Sequence, residues 1–136
     1  MRDEDVARIR RGLAEFILAR IAEDEAACAT AAAGEGWYVD DFMVWVLHDP
    51  DGQSASGLLG PLPIWADGAV DHIARWDPIR VLAECAMKRR IVEECGFEFS
   101  RSPDSPEGDL SEFVLNNLAH QYADHPDHQP EWKWQR

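Results

Sequence analysis

Apolar residues recur at Val6, Ile9, Leu13, Phe16, Ile17, Ile21 and Cys28, the spacings of three, four and seven that line up along one side of a helix. The pattern predicts a long amphipathic first helix from Asp5 to about Ala33. Arg8, Arg10, Arg11, Glu15, Glu23 and Glu25 are its charged partners, the acidic residues 3 to 5 suit the positive end of the helix dipole, and Gly34 and Gly36 stop it. From Trp37 to Leu47 the period changes to two, with Trp37, Val39, Met43, Trp45 and Leu47 on one parity and Tyr38, Phe42, Val44 and Val46 on the other. This reads as one strand covered on both faces, with Trp37 and Trp45 in the core. Asp49-Pro-Asp-Gly52 is a turn signal, Gln53 to Leu59 returns as a weaker antiparallel strand, and Gly60-Pro-Leu-Pro63 ends it.

Asp67 can cap a short helix through His72 and Trp76, and Asp77-Pro78 starts another, since Asp is a good N-cap and Pro suits the first helical position. That helix is expected to run to about Cys95 with Ile79, Leu82, Cys85, Ala86 and Val92 inward, and Gly96 placed to close it. Phe97 to Gly108, rich in Ser and Pro, reads as a flexible loop. Asp109 and Glu112 have capping-box spacing, so a last helix is expected from Leu110 to about Gln121, anchored by Phe113, Val114, Leu118 and Tyr122. The expected fold is a single α+β domain over residues 1–136: three main helices packed on a small antiparallel, hairpin-like sheet, with a docked C-terminal tail over residues 123–136.

Composition narrows the classes. A chain of 136 residues suits one core, and 46% apolar content argues for a folded protein despite a net charge of −13. So acidic a surface disfavours binding to phosphate backbones and favours cations or a protein partner with a basic surface. Between Glu98 and Glu131 eight acidic residues face one basic residue, Arg101, so about half of the net charge lies in the last third. Cys28, Cys85 and Cys95 are odd in number and lack CxxC spacing, which fits a reducing cytoplasm better than a disulfide framework or zinc ribbon. No apolar run approaches the ~20 residues that span a bilayer, so no membrane association is expected.

Two segments concentrate chemistry. In the tail, His120, Asp124, His125 and His128 offer ligands for a divalent metal, although their spacing matches no established zinc signature. The commoner fate of Asp-His-Pro-Asp-His is a turn held by Asx caps, with Pro126 and Pro130 interrupting any helix. No cofactor is required on that reading. Tyr122 and Trp132 are the tail's candidates for ligand binding, while Trp132 and Trp134, on either side of Lys133, are expected to dock onto the chain's own surface in preference to presenting an aromatic patch to a partner. At the other segment, His72, Arg75, Trp76, Asp77 and Arg80 could bind an anion or nucleotide, with a helix start, an arginine and a stacking indole. Asp77 as N-cap competes for the same amides, so a structural cap with an arginine paired to a carboxylate is the commoner outcome. Glu23-Asp-Glu25 and Glu93-Glu94 read as solvated helix faces, and Cys85 as packing.

Ile21-Ala-Glu-Asp-Glu-Ala26, Asp71-His-Ile-Ala-Arg-Trp-Asp-Pro78 leading into Val81-Leu-Ala-Glu84 and Lys88-Arg-Arg-Ile91, and Tyr122-Ala-Asp-His-Pro-Asp127 with Glu131-Trp132 together resemble a family of small uncharacterised proteins of actinobacteria and their phages. The resemblance covers both ends and the middle helix, but neither the strand region nor Phe97 to Gly108. The pattern usually has a second histidine where this chain has Trp76, and commonly an aromatic where it has His128. The resemblance implies no activity and no catalytic residue. It implies that the first helix, the His72 segment and the tail belong to one structural unit.

Two function classes follow. One is a non-enzymatic, acidic interaction module, phage-encoded and acting on a host protein in its sharpest form. The other is a metal-, nucleotide- or anion-binding protein or small hydrolase, with a site between the His72–Arg80 corner and the His120–Trp132 tail. The sequence leaves enzymatic activity open.

Overall fold

The periodic apolar stripe of the first helix is buried as its spacing requires, with Leu13, Phe16, Ile17, Ile21 and Cys28 each at or below 9% exposure. In the computed structural model, which describes residues 2–31, 36–41, 43–48, 55–59 and 67–132, this helix is α1 (Asp3–Ala31). It is followed by β1 (Gly36–Asp40), β2 (Met43–Leu47), β3 (Ala55–Leu59), α2 (Asp67–Arg75), α3 (Pro78–Arg101), α4 (Pro106–His120) and a single 3-10 turn (Pro130–Trp132). The class is α+β, four helices with a three-stranded antiparallel sheet of order β1-β2-β3. The side chains of Val6 and Ile9, and Gly34, Phe42, Asp49–Gly52, Gly60–Pro63, Trp65 and Trp134, lie outside the described residues.

The chain divides into two compact units, residues 24–85 and the remainder. In the 24–85 unit the expected single strand from Trp37 to Leu47 is instead a tight hairpin, pairing Gly36 with Leu47 and Asp40 with Met43. Asp41 turns the chain with φ 52°, a left-handed conformation that Asp tolerates better than most residues. β2 is central, with Val44 and Val46 buried, and β3 pairs with it through a bulge at Val44/Trp45. Trp37 and Trp45 are only half-buried, a correction to their expected core placement. The Trp45 indole N–H donates to the Asp40 carbonyl at 3.1 Å, which holds the indole over the turn. α2 packs against β1 and β2, with Val70 buried.

In the other unit two boundaries move. α3 does not stop at Gly96 but continues to Arg101, because Phe99 extends the buried stripe of Val92 by two turns and is itself 2% exposed. Gly96 is a packing residue: a Cβ there would sit 3.5 Å from the Cβ of Ala14 on α1. The expected loop from Phe97 to Gly108 therefore shrinks to Ser102–Ser105. α4 begins at Pro106, four residues before expectation, capped by Ser105. The Ser105 hydroxyl accepts from the Gly108 amide at 3.0 Å and donates to the Ser102 carbonyl at 2.7 Å.

The buried face of α4 is also different. Gly108, Ser111, Leu115 and Ala119 are buried, whereas the expected anchor Phe113 is 51% exposed. Small residues on a helix face let it approach its neighbours closely, and here Ser111 hydrogen-bonds Cys95 of α3. Ile79, expected inward on α3, is 48% exposed.

Candidate functional site

α1 presents Leu13, Phe16, Ile17, Arg20 and Ile21 on its buried side, and the charged member of that set organises the tail. After α4, the amides of Tyr122, Ala123, His125, His128 and Trp132 each donate to the carbonyl three residues earlier, at 2.9–3.1 Å. This succession of tight turns wraps the tail around Phe16. The ring centroids of Tyr122, His125, His128 and Trp132 lie 6.4, 5.7, 5.7 and 5.1 Å from that of Phe16, and three of the four meet it edge-on. His128 also meets Trp132 edge-on at 5.5 Å. Edge-to-face contact sets the positive rim of one ring against the negative face of another.

Arg20 closes this cluster from α1. Its residue exposure is 8%, and its guanidinium carbon sits 5.3 Å over the Phe16 ring. Nη2 pairs with Glu23 at 3.1 Å, Nη1 approaches Asp127 at 3.9 Å, and Nη1 lies within reach of both ring nitrogens of His125. The Asp127 amide donates to His125 Nδ1 at 3.0 Å. Three polar atoms in the cluster, Arg20 Nε, His128 Nε2 and Trp132 Nε1, are buried with no hydrogen-bond partner among the described residues.

Beside the cluster, α1 and the tail bound a cleft of about 510 Å³ lined by Arg8, Gly12, Glu15, Phe16, Ala19, Arg20, Asp127, Gln129, Glu131 and Trp132. Its floor is aromatic. Glu15, Asp127 and Glu131 are exposed at its rim.

The four metal candidates of the tail are drawn into different surroundings. His125 and His128 turn toward Phe16, while His120, the last residue of α4, and Asp124 are exposed. Among the described residues no group of three or more His, Cys, Asp or Glu side chains is placed to hold a metal ion.

The His72 corner lies in the 24–85 unit and is organised around Asp77. Its carboxylate accepts from the Arg80 amide at 2.9 Å, capping α3, and from the Trp37 amide of β1 at 3.2 Å. The Arg80 guanidinium lies 4.3 Å from the Trp76 ring centroid, and its Nε reaches Glu84 at 4.0 Å. The His72 ring is tilted 45° to that of Trp76 with centroids 6.2 Å apart, and Arg75 is exposed.

Sequence reasoning passed over Arg20 and Phe16 as functional residues. The signal was present: Arg20 interrupts an otherwise apolar stripe, four residues after Phe16 and three after Ile17. A charged residue on a buried face requires a partner, and the polar tail is where that partner lies.

No helix among the described residues is long and apolar enough to cross a membrane. No curated protein and no solved structure matches the chain. A family model does match residues 11–134, taking in α1 from Arg11, the sheet, the helices and the tail, and the chain belongs to the family that it describes, the family of unknown function DUF6221.

Proposed function

We propose that this protein is a non-enzymatic, acidic interaction module that engages a protein partner presenting a basic surface, with the tail and α1 forming the contact face. The observation that carries this reading is the cleft beside the docked tail: an aromatic floor with three exposed carboxylates at its rim, on a chain of net charge −13. Aromatic anchors ringed by charge are the usual make-up of a binding hot spot. A strongly one-signed surface speeds encounter with the opposite sign and opposes like-charged partners.

Calorimetric titration with a short arginine-rich peptide, against a glutamate-rich one, tests the reading. Binding of the first alone is expected, weakening as salt rises. Reversing Glu15 and Glu131 to lysine is expected to weaken it more than reversing Glu93 and Glu94 of α3. Absence of peptide binding, or a robust thermal stabilisation by zinc, manganese or a nucleotide in its place, overturns the reading in favour of a ligand-binding protein.

A further inference from the structure

We infer that the cleft between α1 and the tail is a socket for one arginine side chain of the partner, with Gly12 setting its depth; this rests on the interaction-module reading and specifies its anchor. Phe16 and Trp132 are 7% and 5% exposed, and what remains open of them lines the cleft. Gly12 lies about one turn before Phe16 on α1. A Cβ at position 12 would already stand 3.8 Å from Cζ2 of Trp132, so any longer side chain there occupies the space over the indole.

The charges also select a cation. Of the two arginines lining the cleft, Arg8 pairs with Asp5 at 3.4 Å and Arg20 with Glu23 at 3.1 Å. Glu15 and Glu131 have no cationic partner among the described residues, and Asp127 is 3.9 Å from Arg20. Among the described residues Glu15 and Glu131 thus set negative charge beside aromatic surface, which suits a guanidinium better than an ammonium: the planar group stacks on rings while its fork of donors meets carboxylates. Phe16 already carries one guanidinium, that of Arg20, at 5.3 Å. The volume of about 510 Å³ admits a basic side chain and its flanking backbone.

NMR titration of the full chain with N-acetyl-arginine methylamide tests the socket, using its neutral near-isostere N-acetyl-citrulline methylamide as control. The indole N–H of Trp132, identified through Trp132→Phe, and the Gly12 amide are expected to shift saturably with the arginine probe and about tenfold more weakly with citrulline. Gly12→Leu is expected to abolish the response, and Glu15→Gln with Glu131→Gln to weaken it several-fold. Unchanged indole shifts outside the tail show that the variants are folded.

Equal binding of both probes, a response that survives in Gly12→Leu, or shifts spread evenly over the exposed carboxylates of α3 and α4 would overturn the socket. If Gly12→Leu still binds the arginine-rich peptide with full affinity, the module reading stands and the socket is lost. If the wild-type chain ignores that peptide, the module reading is lost, while the single-residue probe still decides the socket.

Discussion

The guanidinium of Arg20 reaches the imidazole of His125, 105 residues further along the chain, and holds it against Phe16. One buried cation on α1 thereby ties down a polar tail that has little apolar surface of its own. Arg20→Ala removes the packing over Phe16 together with the Glu23 and His125 contacts, and is expected to cost about 2 kcal/mol, in the range for hydrogen bonds to charged groups. Arg20→Met keeps the stem and discards a buried Nε with no acceptor, so its cost is expected to be smaller. Denaturation midpoints order the two variants, and limited proteolysis beyond Tyr122 reports release of the tail. Equal losses would mean that the ionic contacts, and not the packing, hold the tail.

Trp132 and His128 bring the reverse case, polar atoms whose removal is cheap. Both contribute rings to the cluster, yet Trp132 Nε1 and His128 Nε2 are buried without a partner. Trp132→Phe and His128→Phe keep aromatic contact and remove an unsatisfied polar atom, so each is expected to change stability by less than about 1 kcal/mol. Trp132→Ala is expected to cost about 3–5 kcal/mol as a large-to-small core change. Thermal melts of the three variants separate packing from hydrogen bonding. The His128 ring meets Phe16 and Trp132 edge-on, so the cluster uses its ring.

Two glycines of one unit respond oppositely to the same methyl group. Gly96 lies inside α3, and a Cβ there meets Ala14 at an ordinary 3.5 Å. Gly96→Ala is therefore expected to stabilise by about 0.5–1 kcal/mol through the lower conformational freedom of alanine in the unfolded chain. At Gly108 a Cβ would stand 2.0 Å from the Ser102 carbonyl oxygen, a backbone atom fixed by the turn before α4. Gly108→Ala must push the helix start away from Ser102, and is expected to destabilise by about 1–3 kcal/mol. Urea midpoints on opposite sides of the wild type are the expected result. A destabilised Gly96→Ala would show that α1 and α3 are closer than the Ala14 contact implies.

These positions also show how far the fold was legible. α1 could be read because its buried residues are large, apolar and periodic. α4 was expected as a helix but its inward face was not, because Gly108, Ser111 and Ala119, buried there beside Leu115, carry almost no hydropathy signal. Asp109 and Glu112 imitated a capping box, while the true start, Ser105-Pro106-Glu107, is an N-cap, a first-position proline and a first-turn acid. The β1–β2 turn was hidden because Asp41 occupies the left-handed position where glycine or asparagine usually announces a hairpin. The tail's turns follow its prolines and Asp residues. Arg20 was not recognised, because its role depends on a partner 105 residues away.

The cysteines supply a pH dependence whose sign is fixed. Burial pushes the Cys28 thiol above its ordinary 9.0, and the Asp24 carboxylate pushes it further. Burial likewise raises Cys95, with the Ser111 hydrogen bond pulling it down and Glu94 adding to the rise. A thiol held protonated in the native state keeps its proton at a pH where the unfolded chain has lost it. The contribution to stability is thus unchanged below the ordinary thiol range and falls as pH rises through it. Iodoacetamide needs the thiolate, so labelling of Cys28 and Cys95 in the native protein is expected to lag the urea-unfolded chain, and the gap to persist above pH 9. Ser111→Ala removes the one influence that favours the Cys95 thiolate, and is expected to slow Cys95 labelling further while leaving Cys28 unchanged. Faster labelling of Cys95 in that variant would show that the Ser111 hydroxyl shields the sulfur and does not stabilise its charge.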